Sequence, residues 1–239
     1  MQTKNWVSHF DSTRADTYDT NIPRFIPGYE LFSNLSLDII AESYYTKNPN
    51  PKILVVGAGT GNESLMIASK FSQAEVLAID PSPQMLDKLN QKIKSRAIKN
   101  IKTQNCFLHE LDLSQSGRRF DFVVSFLVMH FIPDSSDSKN SKKQFLQDVF
   151  NCLKPSARLI LVDKCFDEFA HDEIFSFWRS FQINAGKTPQ EADDNLALIK
   201  SELPYISGTR LGELGAQIGF SKCYKFFKAF HVEGFVLEK

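Results

Sequence analysis

Three closely spaced glycines are the strongest indication of chemistry in this 239-residue sequence. Gly57, Gly59 and Gly61 directly follow an apolar run, Ile53–Val56, and precede a segment with helical spacing. Glycine lacks a Cβ atom, so such a turn is tight and a ligand can lie against the N–H groups at the helix N-terminus. Asp80 ends the next apolar run, where its carboxylate can accept hydrogen bonds from both hydroxyls of a ribose. The layout predicts a site for an adenosine-containing ligand.

The spacing of the glycines argues against a nicotinamide dinucleotide. That class of site uses G-x-G-x-x-G, which would need glycine at position 62, and the sequence has Asn62. The Tyr-x-x-x-Lys pair typical of one class of oxidoreductase matches only at Tyr224 and Lys228, in a predicted strand and not on a helix. An NAD-dependent oxidoreductase is therefore the weaker alternative.

The elements that would position these residues alternate between short apolar runs and helices, a pattern typical of a parallel sheet with helices on both faces. The predicted strands are 53–56, 75–79, 102–108, 120–126 and 158–162, and the predicted helices are 62–71, 83–95 and 142–153. Two helical segments within 167–202, a helix over 209–218 and strands 222–230 and 232–238 follow. The short join between the last two strands predicts antiparallel pairing.

The whole chain is expected to form one domain with four parts. They are an N-terminal helical cap (1–46), a core half-sheet (47–166), a helical lid insertion (167–206), and a C-terminal helix with an antiparallel strand pair (207–239). A composition of 42% hydrophobic and 23% charged residues is ordinary for a globular protein.

Charge and cysteine content limit the partners and the compartment. Lys+Arg and Asp+Glu are 28 each, a formal net charge of zero that argues against nucleic acid or a membrane surface as partner. The four cysteines are far apart, which predicts neither a disulfide framework nor a zinc site. The N-terminus has no apolar run that would predict a signal peptide. We expect a cytoplasmic protein, and leave a homodimer open.

Four segments, in order, resemble the motifs of class I S-adenosylmethionine (SAM)-dependent methyltransferases. Gly57-Ala58-Gly59-Thr60-Gly61 is similar to the first motif of that family, and the segment Asp80-Pro81-Ser82-Pro83-Gln84-Met85-Leu86 resembles D-x-S-x-x-M-L. Phe120–Ser125 resembles F-D-x-V-x-S, and Leu153-Lys154-Pro155 resembles an L-K-P-G-G turn. The resemblance implies a Rossmann-like α/β fold with a seven-stranded, mostly parallel sheet, an antiparallel C-terminal strand and a helical lid.

The resemblance also implies an activity and a set of site residues. The activity is transfer of a methyl group from SAM to oxygen, nitrogen or carbon of a small, partly apolar acceptor, giving S-adenosyl-L-homocysteine (SAH), with no metal. The cofactor-binding residues would be Tyr29, Gly57, Ala58, Gly59, Gly61, Asp80, Pro81, Met85, Phe107, Leu108 and Ser125. Tyr18-Asp19 is a weaker candidate, for which a capping role of Asp19 stays open.

His130 is the candidate catalytic residue. It follows the predicted fourth strand, at the carboxyl edge where open sheets bind ligands, and an imidazole with a pKa of about 6.5 can take a proton from an acceptor. A structural role for His130 is an open alternative. Lys164, Trp178 and Arg179 are further candidates for the acceptor pocket.

Two departures from the family pattern, and a second resemblance, qualify this prediction. Val55 stands where these methyltransferases carry an acid that helps to hold the methionine ammonium, and Phe107 stands where an acid meets adenine. A non-catalytic SAM-binding relative is therefore one alternative. Ile26-Pro27-Gly28-Tyr29 and Asp163-Lys164 are also similar to the carboxy-SAM synthases of tRNA wobble-uridine modification. Leu196, however, takes the position of the Arg that grips the extra carboxylate in those enzymes.

Overall fold

Seven strands form one mixed sheet in the computed structural model, which describes residues 10, 12–114, 119–134, 141–166 and 172–239. The strands are β1 (Lys52–Val56), β2 (Glu75–Asp80), β3 (Ile101–Asn105), β4 (Phe120–Phe126), β5 (Leu153–Lys164), β6 (Lys222–Ala229) and β7 (Val232–Glu238). Their order across the sheet is β3-β2-β1-β4-β5-β7-β6. The first five are parallel, and β7 is antiparallel to both β5 and β6. The predicted seven-stranded α/β fold is confirmed.

Eight α-helices accompany the sheet in the described part of the chain. They are α1 (Ser12–Phe25), α2 (Tyr29–Thr46), α3 (Asn62–Lys70), α4 (Pro83–Ser95), α5 (Lys142–Cys152), α6 (Asp172–Asn184), α7 (Pro189–Glu202) and α8 (Gly208–Ile218). Local sequence explains where several begin. The hydroxyl of Ser82 caps α4 by accepting from Met85 N, and Thr188 and Glu191 form a reciprocal capping box at α7.

Apolar residues on both sides of the sheet bury two separate clusters. In β1, Ile53 and Val55 belong to the cluster beneath α2, α3 and α4, whereas Leu54 and Val56 belong to the cluster beneath α5 and α8. Successive side chains of a strand point to opposite faces, so a continuous apolar run requires cover on both. The expectation of helices on both faces is confirmed.

Two predicted boundaries are wrong. The third strand ends at Asn105, the partner of Asp80 at the end of β2, so Phe107 and Leu108 lie in the connection beyond it. The fifth strand starts earlier than predicted, because Leu153 is buried and pairs with Phe120. Lys154 and Pro155 therefore lie inside β5, where a register shift against β4 and a positive φ of 60° at Ser156 absorb the irregularity.

Among the described residues, we find no helix with the length and apolarity needed to cross a bilayer.

Candidate functional site

The candidate residues gather at one edge of the sheet, where the parallel strands have their carboxyl ends. Gly57 follows β1, Asp80 ends β2, and Leu108 follows β3. His130 lies in a 3-10 turn, Met129–Phe131, just beyond β4, and β5 ends with Lys164. An open α/β sheet binds its ligands at this edge.

The loop between β1 and α3 depends on its glycines. Gly57, Gly59 and Gly61 have φ values of 67°, 53° and 91°, in the left-handed region that side chains disfavour. A Cβ at Gly57 would lie 2.2 Å from Val128 Cγ2, and one at Gly61 would lie 2.2 Å from Leu89 Cδ1. At Gly59 the nearest atom would be Met85 Cε at 3.6 Å, so this glycine has the most open surroundings of the three.

Asp80 is fixed by backbone amides on both carboxylate oxygens. Gly59 N donates to Oδ2 and Ser82 N donates to Oδ1, each at 2.8 Å. Burial raises the pKa of the Asp80 carboxyl, and these two hydrogen bonds oppose that effect. Each oxygen keeps a further lone pair, so the carboxylate can still accept from a diol at the sheet edge.

Helix α1 covers the glycine loop and is tied to it by Asp19. Thr60 Oγ1 donates to Asp19 Oδ1, and Lys92 Nζ of α4 donates to Asp19 Oδ2, both at 2.5 Å. Lys92 also donates to Thr60 O at 2.9 Å. Asp19 lies within α1, so the alternative that it caps a helix is wrong.

Tyr29 begins α2 and hydrogen bonds to the start of α3. Its hydroxyl donates to Glu63 Oε1 at 2.5 Å and accepts from Asn62 Nδ2 at 3.3 Å. Burial raises the pKa of Glu63, and burial together with Glu63 holds the pKa of Tyr29 well above its usual value. The predicted residue Tyr29 thus orients a carboxylate in the first turn of the helix that follows the glycine loop.

His130, Asp163 and Lys164 form a buried group at the ends of β4 and β5. His130 Nδ1 lies 2.5 Å from Asp163 Oδ1, and His130 Nε2 lies 3.4 Å from Lys164 Nζ. The second oxygen of Asp163 accepts from Met129 N at 2.6 Å. Since an ionised carboxylate only accepts hydrogen bonds, His130 carries its proton on Nδ1 and presents a lone pair at Nε2.

Burial and neighbouring charges set the protonation of this group. Burial lowers the pKa of His130 to about 4, the charge of Lys164 acts in the same direction, and Asp163 opposes both. Burial also lowers the pKa of Lys164 to about 8, again against the attraction of Asp163. Near pH 7, His130 is therefore a neutral imidazole and Lys164 is mostly a cation.

Lys142 at the start of α5 holds the turn that carries His130. Its ammonium group is buried and donates to Met129 O at 2.7 Å and to Ile132 O at 2.5 Å. It also donates to Pro204 O, which ties the turn to the segment between α7 and α8. A buried ammonium is stable only with such partners, so Lys142 makes this turn a fixed structure.

The other predicted cofactor residues lie around the loop. Ala58 is buried and donates to Ile79 O, Pro81 and Met85 flank the start of α4, and Ser125 pairs with Val56 in the sheet. The hydroxyl of Ser125 is buried without a hydrogen-bond partner among the described residues. Leu108 is buried, whereas Phe107 is 44% exposed and stacks on His109. An adenine ring could stack on Phe107 only from its open side.

Two lid candidates are not placed for contact with an acceptor. Trp178 is fully buried, and its Nε1 donates to Phe25 O at 2.7 Å, which anchors the end of α1. Arg179 is paired with Asp193 of α7 at the surface. Leu196 is also buried, within the core cluster. Lys164 does lie beside His130, as a pocket residue should.

Sequence reasoning missed the roles of Glu63 and Asp163. The available signal for Glu63 was its position in the first turn of the helix after the glycines. An acid at that position is common because it interacts favourably with the helix dipole, so the signal was not specific. Asp163 lies 33 residues from His130, and no spacing rule connects them. Within the described residues, we find no cluster of three or more His, Cys, Asp or Glu side chains that could hold a metal ion.

Residues 54–159 match the family model described as a methyltransferase domain. A malonyl-[acyl-carrier protein] O-methyltransferase from Paenibacillus sp. is 25% identical over 221 residues, which cover 90% of this chain and 70% of that protein. A carboxy-S-adenosyl-L-methionine synthase from Shewanella halifaxensis is 23% identical over 247 residues, which cover 96% of this chain and 92% of that protein. Four further curated relatives are aligned over only 62–67% of their own length.

Magnesium protoporphyrin IX methyltransferase from Synechocystis, solved with bound SAH, has a similar fold. Its TM-score is 0.63 at 16% identity, covering 97% of this chain and 93% of that chain. Residues 54–159 thus match a methyltransferase domain, and the sheet order and this structural similarity show that the chain has the fold of the class I SAM-dependent methyltransferases.

The residues at the sheet edge fit a SAM molecule. The open surroundings of Gly59 leave room above the loop backbone, and Asp80 has lone pairs available for ribose hydroxyls. The buried Ser125 hydroxyl, beside the first glycine, is an unused donor and acceptor. Val55 is buried in the core and supplies no acid, so the methionine end needs another partner.

Proposed function

We propose that this chain is an enzyme that transfers the methyl group of SAM to a small, partly apolar acceptor, and that the acceptor atom is an oxygen that loses a proton. The observation that carries the proposal is the contact between the glycine loop and the His130 turn. Val128, two residues before His130, packs against Gly57 so closely that a Cβ on that glycine would clash with it. The two halves of the site therefore adjoin.

Different residues of the chain would bind the cofactor, exclude water and remove the proton. SAM, when bound, supplies an electrophilic methyl group on a sulfonium leaving group, so the protein mainly aligns, excludes water and removes one proton. The loop 57–61 and Asp80 would hold the cofactor. Helix α1, tied to the loop through Asp19, would close over it and exclude water.

His130 would accept the proton at Nε2. Asp163 holds the opposite ring nitrogen, which fixes the ring and stabilises the imidazolium as it forms. Lys164 Nζ faces Nε2 at 3.4 Å, so an acceptor O–H must displace this weak contact to reach the lone pair. Lys164 would then lie beside the oxygen and favour its ionised form.

The two curated relatives favour different reactions for this chain. The Paenibacillus protein is named for O-methylation, which favours oxygen over nitrogen or carbon. The Shewanella protein is named as a carboxy-SAM synthase and aligns with nearly the whole chain, which supports that reaction as a second candidate. Against it, Leu196 of α7 is an apolar core residue at the position where the resemblance implies an Arg for the extra carboxylate.

A calorimetric titration with SAM, SAH and NAD in parallel tests the proposal. We expect micromolar binding of the two sulfur compounds and no binding of NAD, and then methylation in a screen of small phenols and alcohols, whose hydroxyl groups keep their proton near pH 7. A product that forms at an undiminished rate with His130→Asn would exclude His130 as the base.

Two other results would contradict the main proposal. Formation of carboxylated SAM from SAM and prephenate would establish the synthase reaction instead. Binding of SAM and SAH without any product from the acceptor screen would favour a non-catalytic SAM-binding protein.

A further inference from the structure

The cofactor half of the site lacks the acid that the family resemblance places in its first strand. Val55 occupies that position, and its side chain is buried among core residues beneath the helices. A methionine α-ammonium group bound at this sheet edge would bind more tightly beside a carboxylate than against carbonyl oxygens alone, because charge-assisted hydrogen bonds are stronger than neutral ones. With Val55 at the usual position, such a carboxylate has to come from another position in this chain.

Glu63 is the carboxylate best placed to do so. It is the second residue of α3, two positions after Gly61, so it lies at the rim of the glycine loop. Tyr29 donates to its Oε1 at 2.5 Å and fixes the direction of the carboxylate. None of the ion pairs formed between described residues involves Glu63, and Lys92, whose charge lowers the pKa of Glu63, is paired with Asp19.

Tyr18 links Glu63 to the rest of the cofactor site. This tyrosine of α1 is half-buried, and after burial itself the negative charges of Glu63 and Asp80 both raise the pKa of its hydroxyl. In the chain Asp80 is hydrogen-bonded to Gly59 N of the glycine loop and Glu63 follows Gly61 at the end of the same loop. Asp80 would take the ribose end, which leaves Glu63 at the methionine end.

We propose that Glu63 supplies the carboxylate that position 55 lacks, and that it pairs with the α-ammonium group of SAM while Tyr29 holds it in place. The inference rests on the proposed function, since it concerns the same cofactor. It makes Glu63 a binding residue that the ordinary motif would not identify. It also predicts that affinity at this site depends on the amino group of the ligand.

A ligand-based double-mutant cycle tests the pairing. Calorimetry would compare SAH with its desamino analogue, which lacks only the α-ammonium group, on the wild-type chain and on Glu63→Gln. Glutamine is isosteric and can still accept from Tyr29, so the fold should be kept. In the wild type we expect SAH to bind about 10–100 times more tightly than the analogue, and in Glu63→Gln that ratio should fall to about 1.

Two variants complete the test. Glu42→Gln, at an exposed position of α2, should leave both affinities unchanged. Tyr29→Phe keeps the charge of Glu63, so most of the preference for SAH over the desamino analogue should remain. This variant provides a second test if Glu63→Gln does not fold. If Glu63→Gln weakens both ligands equally, Glu63 is only structural and the inference is wrong. If the wild type binds neither ligand, the proposed function fails as well, so the two failures are distinguishable.

Discussion

The proposed cofactor half of the site, which is the loop 57–61 with Asp80, and the proposed acceptor half, which is His130 with Asp163 and Lys164, differ in how their key side chain is held. In the first, two backbone amides hold the Asp80 carboxylate, and side chains join the loop to helix α1 through Asp19. Around His130 the contacts join side chains from distant parts of the chain, Asp163 and Lys164 among them, and burial shifts their pKa values. The first half can keep one ligand across a family, whereas side-chain substitutions can readily change the second.

The largest predicted effect is a loss of affinity for SAH, which should occur in a variant of the cofactor half and not in a variant of the acceptor half. In Asp80→Asn the new side-chain NH₂ group would face Gly59 N or Ser82 N, so two donors would meet where a carboxylate oxygen now accepts. An acceptor for the ribose hydroxyls is lost as well. The free energy of SAH binding should therefore weaken by about 2–4 kcal/mol. Asp163→Asn should change it by less than about two-fold, because Asp163 contacts only the acceptor side. Calorimetry measures both. Equal losses in the two variants would show that the halves are not separate.

Two glycines with the same φ, one in the glycine loop and one outside both halves of the site, sharpen the comparison. Gly61 in the cofactor loop and Gly186 after α6 both have a φ of 91°, but a Cβ would meet Leu89 Cδ1 at 2.2 Å in the first and nothing within 4 Å in the second. Gly61→Ala should lower the free energy of unfolding by about 2–4 kcal/mol and Gly186→Ala by about 1 kcal/mol.

Gly212→Ala is the matched control for these two variants. It lies within α8 in open space, so it should stabilise the chain by about 0.5–1 kcal/mol. Denaturant unfolding measures all three changes. Similar losses for Gly61→Ala and Gly186→Ala would mean that backbone strain, and not contact with Leu89, sets the cost.

Acid unfolding probes the acceptor half when the wild type is compared with a variant that lacks His130. The pKa of His130 is about 4 in the folded chain, because of burial, and 6.5 is its ordinary value, so the unfolded chain takes up this proton first as the pH falls. His130 should therefore lower the free energy of unfolding between pH 6.5 and pH 4 by about 3 kcal/mol.

His130→Asn is the comparison for the acid series, since it removes the titrating group. Its free energy of unfolding should decrease by less than that of the wild type across the same window. Burial raises the pKa of the Asp163 carboxyl and His130 opposes that effect, so in the variant Asp163 takes up a proton at higher pH, which acts against acid unfolding. Parallel pH curves for the two proteins would contradict a buried neutral His130.

The smallest effect is expected at the lid surface. Arg179 and Asp193 form an exposed ion pair between α6 and α7, and such pairs contribute little because water and salt screen them. Arg179→Ala should move the melting temperature by no more than about 2 °C and leave the affinity for SAH unchanged. A large loss of acceptor turnover in this variant would show that Arg179 does contribute to the acceptor pocket.

The sequence alone predicted the glycine turn, the strand that ends at Asp80, and the helices that follow them. These elements lie within residues 57–95, and glycine conformation, strand alternation and helix capping are local properties. The alternation of strands and helices also predicted a sheet covered on both faces. Boundaries such as the start of β5 at Leu153 were missed, because pairing with Phe120 outweighs the local preference for a turn.

Only the tertiary structure decided the rest of the site. His130, Asp163 and Lys142 come together because β4, β5 and α5 end or begin at the same edge of the sheet, and their hydrogen bonds depend on that packing. The same is true of Tyr29 and Glu63, which belong to different helices and lie 34 positions apart in sequence. Burial gives these groups their pKa shifts, and burial is a property of the packed chain and not of any segment of it.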